Sequence, residues 1–375
     1  MIGRTPYCPL WPHAQPTQRP LLLLAASLLL LLSCRPAPEP VAKTVEIRGV
    51  YGNPQPFWDK GLHLPDLGVN AVFVHSGAIK PEMMQRAREE GLKIYAEFAT
   101  LNGKGYVDEH PEAHAIDETG QRVQAASWFM GVCPTEPGFR QYRFDLLRNL
   151  LTQYDLDGVW MDYVHWHAQF EEPEPILPET CFCDHCLSRF SEATNIEIPG
   201  EGTPEKAAWI LVNQDKAWRD WRCRVILEWA VEMKAILREI RPQALLGLYH
   251  CPWDDEEFDG ARRRILGLDY DLLRGVIDVF SPMVYHGRMG REPEWVEENI
   301  TWLCQRLGIR NGEYPKVWTI VQAYDNPAPI SPQAFETVLR GGLAAQASGV
   351  MMFTTYAVAG DSVKTEVMRR VYSGM

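Results

Sequence analysis

Long runs of lysine or arginine are missing from this chain of 375 residues. Its 37 basic residues are outnumbered by 49 acidic ones, giving a net charge of −12. Phosphate contact needs concentrated positive charge, so the balance argues against nucleic acid as a partner. No apolar run reaches the ~20 residues that span a bilayer. The longest, Leu21–Leu32, has 12. No Gly-x-Gly-x-x-Gly follows the first strand-like run and there is no P-loop, which leaves dinucleotide and P-loop folds without support. Disorder and collagen-like structure are excluded as well, since 46% hydrophobic and 23% charged residues is the composition of a folded chain. Aromatic residues, by contrast, are plentiful, with 13 Trp and 14 Tyr.

The apolar run follows Arg4 and Arg19, as the core of a signal peptide follows a positive segment. It ends in Leu31-Leu32-Ser33-Cys34, which resembles the bacterial lipoprotein signal, where cleavage precedes a Cys that receives lipid. An ordinary secretory signal with an incidental Cys is the alternative. The resemblance implies a leader over 1–33, lipidation at Cys34 and a Pro-rich tether over 34–44. Arg35, not Asp, follows Cys34, which favours the outer membrane or the cell surface. The expected localisation is therefore exported and lipid-anchored.

Residues 45–375 alternate apolar runs with helical stretches. The runs are Val45–Gly52, Val69–Ser76, Leu92–Thr100, Leu156–Trp166, Ala244–Pro252, Val276–Tyr285, Lys316–Tyr324 and Gly349–Tyr356. Continuous apolar runs separated by helices indicate a parallel sheet covered on both faces. Eight of them favour an α/β fold of the closed (β/α)8 TIM-barrel type over an open sheet. A Cys-containing helical insertion, about 167–240, is expected after strand four.

Chemistry in such barrels sits at the C-terminal strand ends. The exits here offer Tyr51, His75, Glu97, Asp162, His250, Tyr285, Asp325 and Tyr356. The fourth is the most informative, because Asp162 ends the apolar segment Val159-Trp160-Met161, where a carboxylate is costly without a purpose or a partner. Trp58, Trp128, Trp166 and Trp253 fall in loops or at exits, where flat faces can stack on sugar rings. Trp160, Trp209, Trp218, Trp221, Trp229, Trp302 and Trp318 fall in strands or helices and read as packing. His75, His165, His167 and His250 are candidates for hydroxyl recognition, each with a structural role as the alternative.

The segment Tyr154-Asp155-Leu156-Asp157-Gly158-Val159-Trp160-Met161-Asp162-Tyr163 resembles the fourth-strand motif of glycoside-hydrolase-like barrels related to the α-amylase and chitinase superfamilies. Val132-Cys133-Pro134, the Cys-rich stretch Cys181–Phe190 and Ser281-Pro282-Met283-Val284-Tyr285 are similar to other segments of that group. In the amylase-like pattern the fourth-strand Asp is the nucleophile and an acid after strand five is the acid/base. The resemblance therefore implies Asp162 as nucleophile or charge stabiliser and Asp255 or Asp254 as acid/base, with Glu97 and Asp325 as rival acids. Val164 stands where a chitinase carries its Glu, which argues against that mechanism. Glycoside hydrolysis needs one group to protonate the leaving oxygen and another to meet the oxocarbenium charge. The alternative for Asp254–Glu257 is a solvated helix N-terminus, where acids suit the dipole.

Of nine cysteines, seven lie beyond the leader and the lipid-site Cys34. Cys181, Cys183 and Cys186, with Cys133 as a fourth, have the character of a structural zinc site. Disulfides are the alternative in an oxidising compartment. Cys223 and Cys304 read as core. The expected function is hydrolysis of a polysaccharide or oligosaccharide by two carboxylates, with no cofactor needed for catalysis and substrate contacts from Tyr51, His75, Glu97, Trp166, His250, Trp253, Tyr285, Asp325 and Tyr356. The expected partners are the carbohydrate and, through the lipid, a membrane. A non-catalytic carbohydrate-binding lipoprotein and a zinc-dependent deacetylase are the rival readings.

Overall fold

The computed structural model describes residues 44–374. The expected leader, Cys34 and the tether up to Lys43 lie outside the described residues. Eight parallel strands close into a barrel: β1 (Ile47–Tyr51), β2 (Ala71–His75), β3 (Lys93–Ala99), β4 (Gly158–Asp162), β5 (Leu245–His250), β6 (Val279–Val284), β7 (Lys316–Gln322) and β8 (Gly349–Phe353). Closure is made by β1 on β8, with Gly49 opposite Met351 and Tyr51 opposite Phe353. This is the (β/α)8 barrel expected. The strand sequences are apolar throughout because helices cover their outer faces and side chains fill the interior.

That interior is unusually aromatic. Phe73, Tyr95, Trp160 and Trp318 meet across the barrel, with ring centroids 4.7 Å apart for Phe73–Tyr95 and 5.5 Å for Trp160–Trp318. Each indole N–H finds a hydroxyl: Trp160 donates to Ser281 at 2.9 Å and Trp318 to Ser348 at 3.2 Å. Rings this large need space, and glycines supply it. A Cβ on Gly247 would fall inside the indole of Trp160, and one on Gly349 would lie 2.6 Å from Trp318. The glycines are therefore packing residues here, and the four rings form a solid floor.

Helices begin and end where local chemistry dictates. Proline opens Pro81–Glu89, Pro137–Gln153 and Pro332–Gly341, where a missing N–H costs nothing. Gly308 closes Trp295–Leu307 with φ 65°. The long β4–β5 connection carries Asp184–Thr194, Thr203–Asn213 and Asp215–Ile240. Asp215–Ile240 does the work of a barrel helix: it pairs with Pro137–Gln153 through Arg140–Glu232 at 2.7 Å and Arg148–Glu239 at 2.8 Å. The inserted material proper therefore ends near residue 214, short of the expected 240. Among the described residues, no helix is long and apolar enough to cross a membrane.

Candidate active site

Strand alternation builds the site directly above the aromatic floor. Side chains two residues apart share a face. Tyr95 of the floor is followed by Glu97, Trp160 by Asp162, Gly247 by Tyr249, Gly49 by Tyr51 and Met351 by Phe353. A cavity of about 120 Å³ opens on this layer. Its walls are Tyr51, Asp162, Tyr249, Met283, Tyr285, Ile320 and Phe353 from the strands and their exits, closed by Trp128, Tyr163, Glu171 and Arg288 from loops.

Three carboxyl groups meet here. Asp162 and Glu97 are both buried and share a hydrogen bond. Tyr51 donates its hydroxyl proton to Glu97 from the other side. Burial raises Glu97 well above the usual carboxylate range, and Asp162 beside it raises it further. Burial likewise lifts Asp162 to about 7, against the pull of the Tyr163 N–H, which reaches its Oδ1 at 2.8 Å, and of Glu97. Like charges this close cannot both ionise, so Glu97 keeps its proton near neutrality and the titration there falls on Asp162. Glu171, from the loop after β4, is also lifted to about 7 by burial, although Arg288 at 2.7 Å opposes the rise.

The loop residues are held in place. Tyr163 has φ 53°, a conformation uncommon for a bulky residue and typical of constrained functional positions. Its hydroxyl accepts the Trp128 indole N–H at 3.2 Å. Arg288 lies 4.5 Å over the Trp128 ring and also binds Glu172 at 2.9 Å.

Behind the β3–β4 and β4–β5 loops, the Sγ atoms of Cys133, Cys181, Cys183 and Cys186 all lie within 4.8 Å of one another. Cys133 is 3.5 Å from Cys186 and 3.7 Å from Cys183. Zinc–thiolate bonds of ~2.3 Å put tetrahedral sulfurs about 3.8 Å apart, so these four fit that ion. Backbone N–H groups of Ile116 and Cys186 point at Cys181 and Cys183 sulfurs, at 3.3 and 3.4 Å. Hydrogen bonds from Cys133, Cys181 and Cys186 hold the Cys183 thiol far below its usual value. The described cysteines are all unbridged, and His185 stays outside the cluster. Four thiolates would complete the shell of a tetrahedral ion, which suits a structural role and would leave no open position for deacetylase chemistry.

The sequence matches no family model and no curated protein. Solved structures do match. The glycoside hydrolase domain of PgaB (BpsB) from Bordetella bronchiseptica aligns with TM-score 0.64 at 13% identity, over 87% of this chain and 98% of that one. The catalytic domain of β-amylase from Paenibacillus polymyxa gives 0.60 at 11%, over 88% and 98%. A β-galactosidase from the psychrophilic Marinomonas ef1 gives 0.62 at 14%, over 87% of this chain and 58% of that one. The likeness is one of fold. This chain spans little more than half the length of that β-galactosidase.

The structure gathers some of the sequence-expected residues and disperses others. Tyr51, Asp162 and Tyr285 line the cavity, and Glu97 lies directly against Asp162. Asp254 and Asp255 do not reach it. Asp254 Oδ1 accepts the N–H groups of Glu256 and Glu257, both at 2.8 Å, as a helix-start residue does. Asp255 pairs with Arg262 and, at 2.7 Å, with Arg306 in a separate charged cleft. His250 points outward, packs against Tyr270 and Phe280, and is pushed down to about 3 by burial. Trp166 is wholly buried and donates to the Arg222 carbonyl. Trp253 packs on Phe170 and Phe258. His75 stands at the rim, accepting the Gly77 N–H with its Nδ1. Asp325 pairs with Lys364 at 2.7 Å, and Tyr356 is exposed outside the cavity. His165 and His167 are buried and held neutral, each pushed to about 4. Sequence reasoning missed Tyr249, Glu171 and Arg288.

Proposed function

We propose that this chain is a glycoside hydrolase whose working carboxyl groups are Asp162 and Glu171. One observation carries the reading: both line a single aromatic-walled cavity at the barrel mouth and both titrate near neutrality. Arg288 stabilises Glu171 as the anion, whereas no cation pairs with Asp162 among the described residues. Asp162 is therefore the proton donor. Its proton passes to the glycosidic oxygen as the C1–O bond breaks, and ionised Glu171 meets the positive charge developing on the sugar. Water then supplies the oxygen at C1 and returns a proton to a carboxylate. Glu97 and Tyr51 hold Asp162 in place and tune it. Tyr249, Tyr285 and Phe353 offer ring faces to the sugar, and Trp128 closes the wall. The sequence-based pairing of Asp162 with Asp254 or Asp255 is replaced by Asp162 with Glu171.

The test is turnover and binding across a broad glycan panel. Asp162→Asn and Glu171→Gln each lower turnover by about 10²–10⁴-fold, the range for lost general acid–base catalysis, while glycan binding persists. A wild-type protein that binds a glycan but releases no reducing ends overturns the enzyme reading in favour of a binding protein. Export with lipid on Cys34 would place this chemistry at a membrane surface outside the cytoplasm. Loss of labelled palmitate on Cys34→Ala is the corresponding check.

A further inference from the structure

A second, larger hollow adjoins the catalytic cavity. It measures about 610 Å³ and shares Trp128 with it. Its opposite side is an aromatic stack. Tyr106 lies between His110, at 4.2 Å and 25°, and Tyr142, at 5.3 Å and 28°. Trp128 and Tyr142 are 42% and 43% exposed, which is high for rings of this size. Neighbours fix both: Trp128 by the Arg288 guanidinium over its ring and its hydrogen bond to Tyr163, Tyr142 by stacking on Tyr106 and by the Arg143 guanidinium at 5.5 Å. Rigid exposed rings lose little entropy when a flat apolar face settles on them.

Polar chemistry is present as well. Arg143 lines the hollow beside Asn102. It gives one N–H of its Nη2 to the Asn102 carbonyl, its Nε is buried, its Nη1 has no hydrogen-bond partner among the described residues, and no carboxylate pairs with it there. Lys104 is already committed to Asp108 at 2.9 Å. A half-buried guanidinium with spare donors, flanked by rings, matches a pyranose, whose C–H face stacks while its oxygens accept.

We infer that this hollow is a second glycan subsite, so that the substrate is a chain of several sugar units laid from the Asp162–Glu171 cavity across Trp128 onto Tyr142 and Arg143. The inference rests on the glycosidase reading and narrows it to oligosaccharides or polysaccharides over single sugars. All parts of the hollow come from the β3–β4 connection and the start of helix Pro137–Gln153, one continuous rim of the barrel.

The experiment uses galactose-, glucose- and glucosamine-based oligosaccharides of one to six units. Binding is titrated by tryptophan fluorescence in the Asp162→Asn protein, with and without Tyr142→Ala, and in Arg143→Gln. For one sugar series, affinity should climb between the one-unit and four-unit ligands, and Tyr142→Ala should weaken the four-unit ligand by about tenfold, the value of one stacked ring. In the active protein, Tyr142→Ala should lower the ratio of kcat/KM on the tetramer to kcat/KM on the p-nitrophenyl monoglycoside by a similar factor. Arg143→Gln should give a smaller loss in the same direction, and circular dichroism should report an unchanged fold. Equal affinity at all lengths, no binding at all, or variants that leave the length ratio untouched overturn the subsite. Length-dependent, Tyr142-dependent binding without cleavage upholds the subsite while overturning the hydrolase.

Discussion

Asp162 places a carboxyl group where the fold would be more stable without its charge. The native pKa is about 7 against 3.8 for the free group. Its native state therefore binds a proton that the unfolded chain releases at lower pH. Stability contributed this way is present in acid and fades as pH rises through the native pKa. At 1.36 kcal/mol per unit, moving from pH 5 to pH 8 should cost the wild type about 2–3 kcal/mol through Asp162 alone. Asp162→Asn keeps an acceptor for the Tyr163 N–H and removes the titration. It also relieves Glu97 of a like-charged neighbour, which lowers the Glu97 pKa and flattens the profile further. Urea unfolding at pH 5, 6, 7 and 8, with shared m-values, should show the wild type losing stability steeply and the variant less so, the gap widening towards pH 8. The inactive variant should then be the more stable protein in mild alkali. Parallel profiles for the two proteins would refute the view that Asp162 carries a raised pKa, and with it the assignment as proton donor at neutral pH.

The pH profile of kcat/KM should be a narrow bell near pH 7, because the ionised Glu171 and the protonated Asp162 overlap only there. Arg288→Gln removes the cation that holds Glu171 down, so the acid limb should move to higher pH; an unmoved limb would exclude Glu171 as the ionised partner of Asp162. Metal analysis should find about one zinc per chain, lost in Cys186→Ser, and chelation should lower the unfolding temperature of the whole fold; a metal-free protein of full stability would refute the zinc site. Gly247→Ala drives a methyl into the Trp160 indole and should destabilise by about 3 kcal/mol or leave the protein insoluble; normal expression and an unchanged unfolding midpoint would refute the packing account of that glycine.

The strands were legible because burial on both faces leaves continuous apolar runs, and all eight expected runs contain the observed strands. The site was half legible, and parity explains much of the rest. Counting from Gly247, the inward side chain at the end of β5 is Tyr249; reading the exit one residue later selected His250, which faces the helices. The stretch Trp253–Glu257 looked like an acid supply beside β5. Its charges are taken by Arg262, Arg306 and backbone N–H groups, and those partners are distant in sequence or carry no sequence signal. Glu171 sits in a Glu- and Pro-rich loop that reads as solvated. Only the fold brings Arg288, more than a hundred residues away, to bury and pair it. Glu97, expected as a rival acid, is the protonated neighbour hydrogen-bonded to Asp162.

The stacked rings of Phe73, Tyr95, Trp160 and Trp318 form a floor beneath the cavity, so a ligand enters and leaves from the loop side. In the proposed hydrolase, that side is the doorway past Trp128. In a chain-cleaving enzyme of this shape, the fragment on the outer side of the broken bond departs first, and the sugar resting on the rings waits behind it. Traffic through that doorway, and not bond breaking alone, would then set the order of product release, and the outer fragment would compete with fresh substrate for the same threshold.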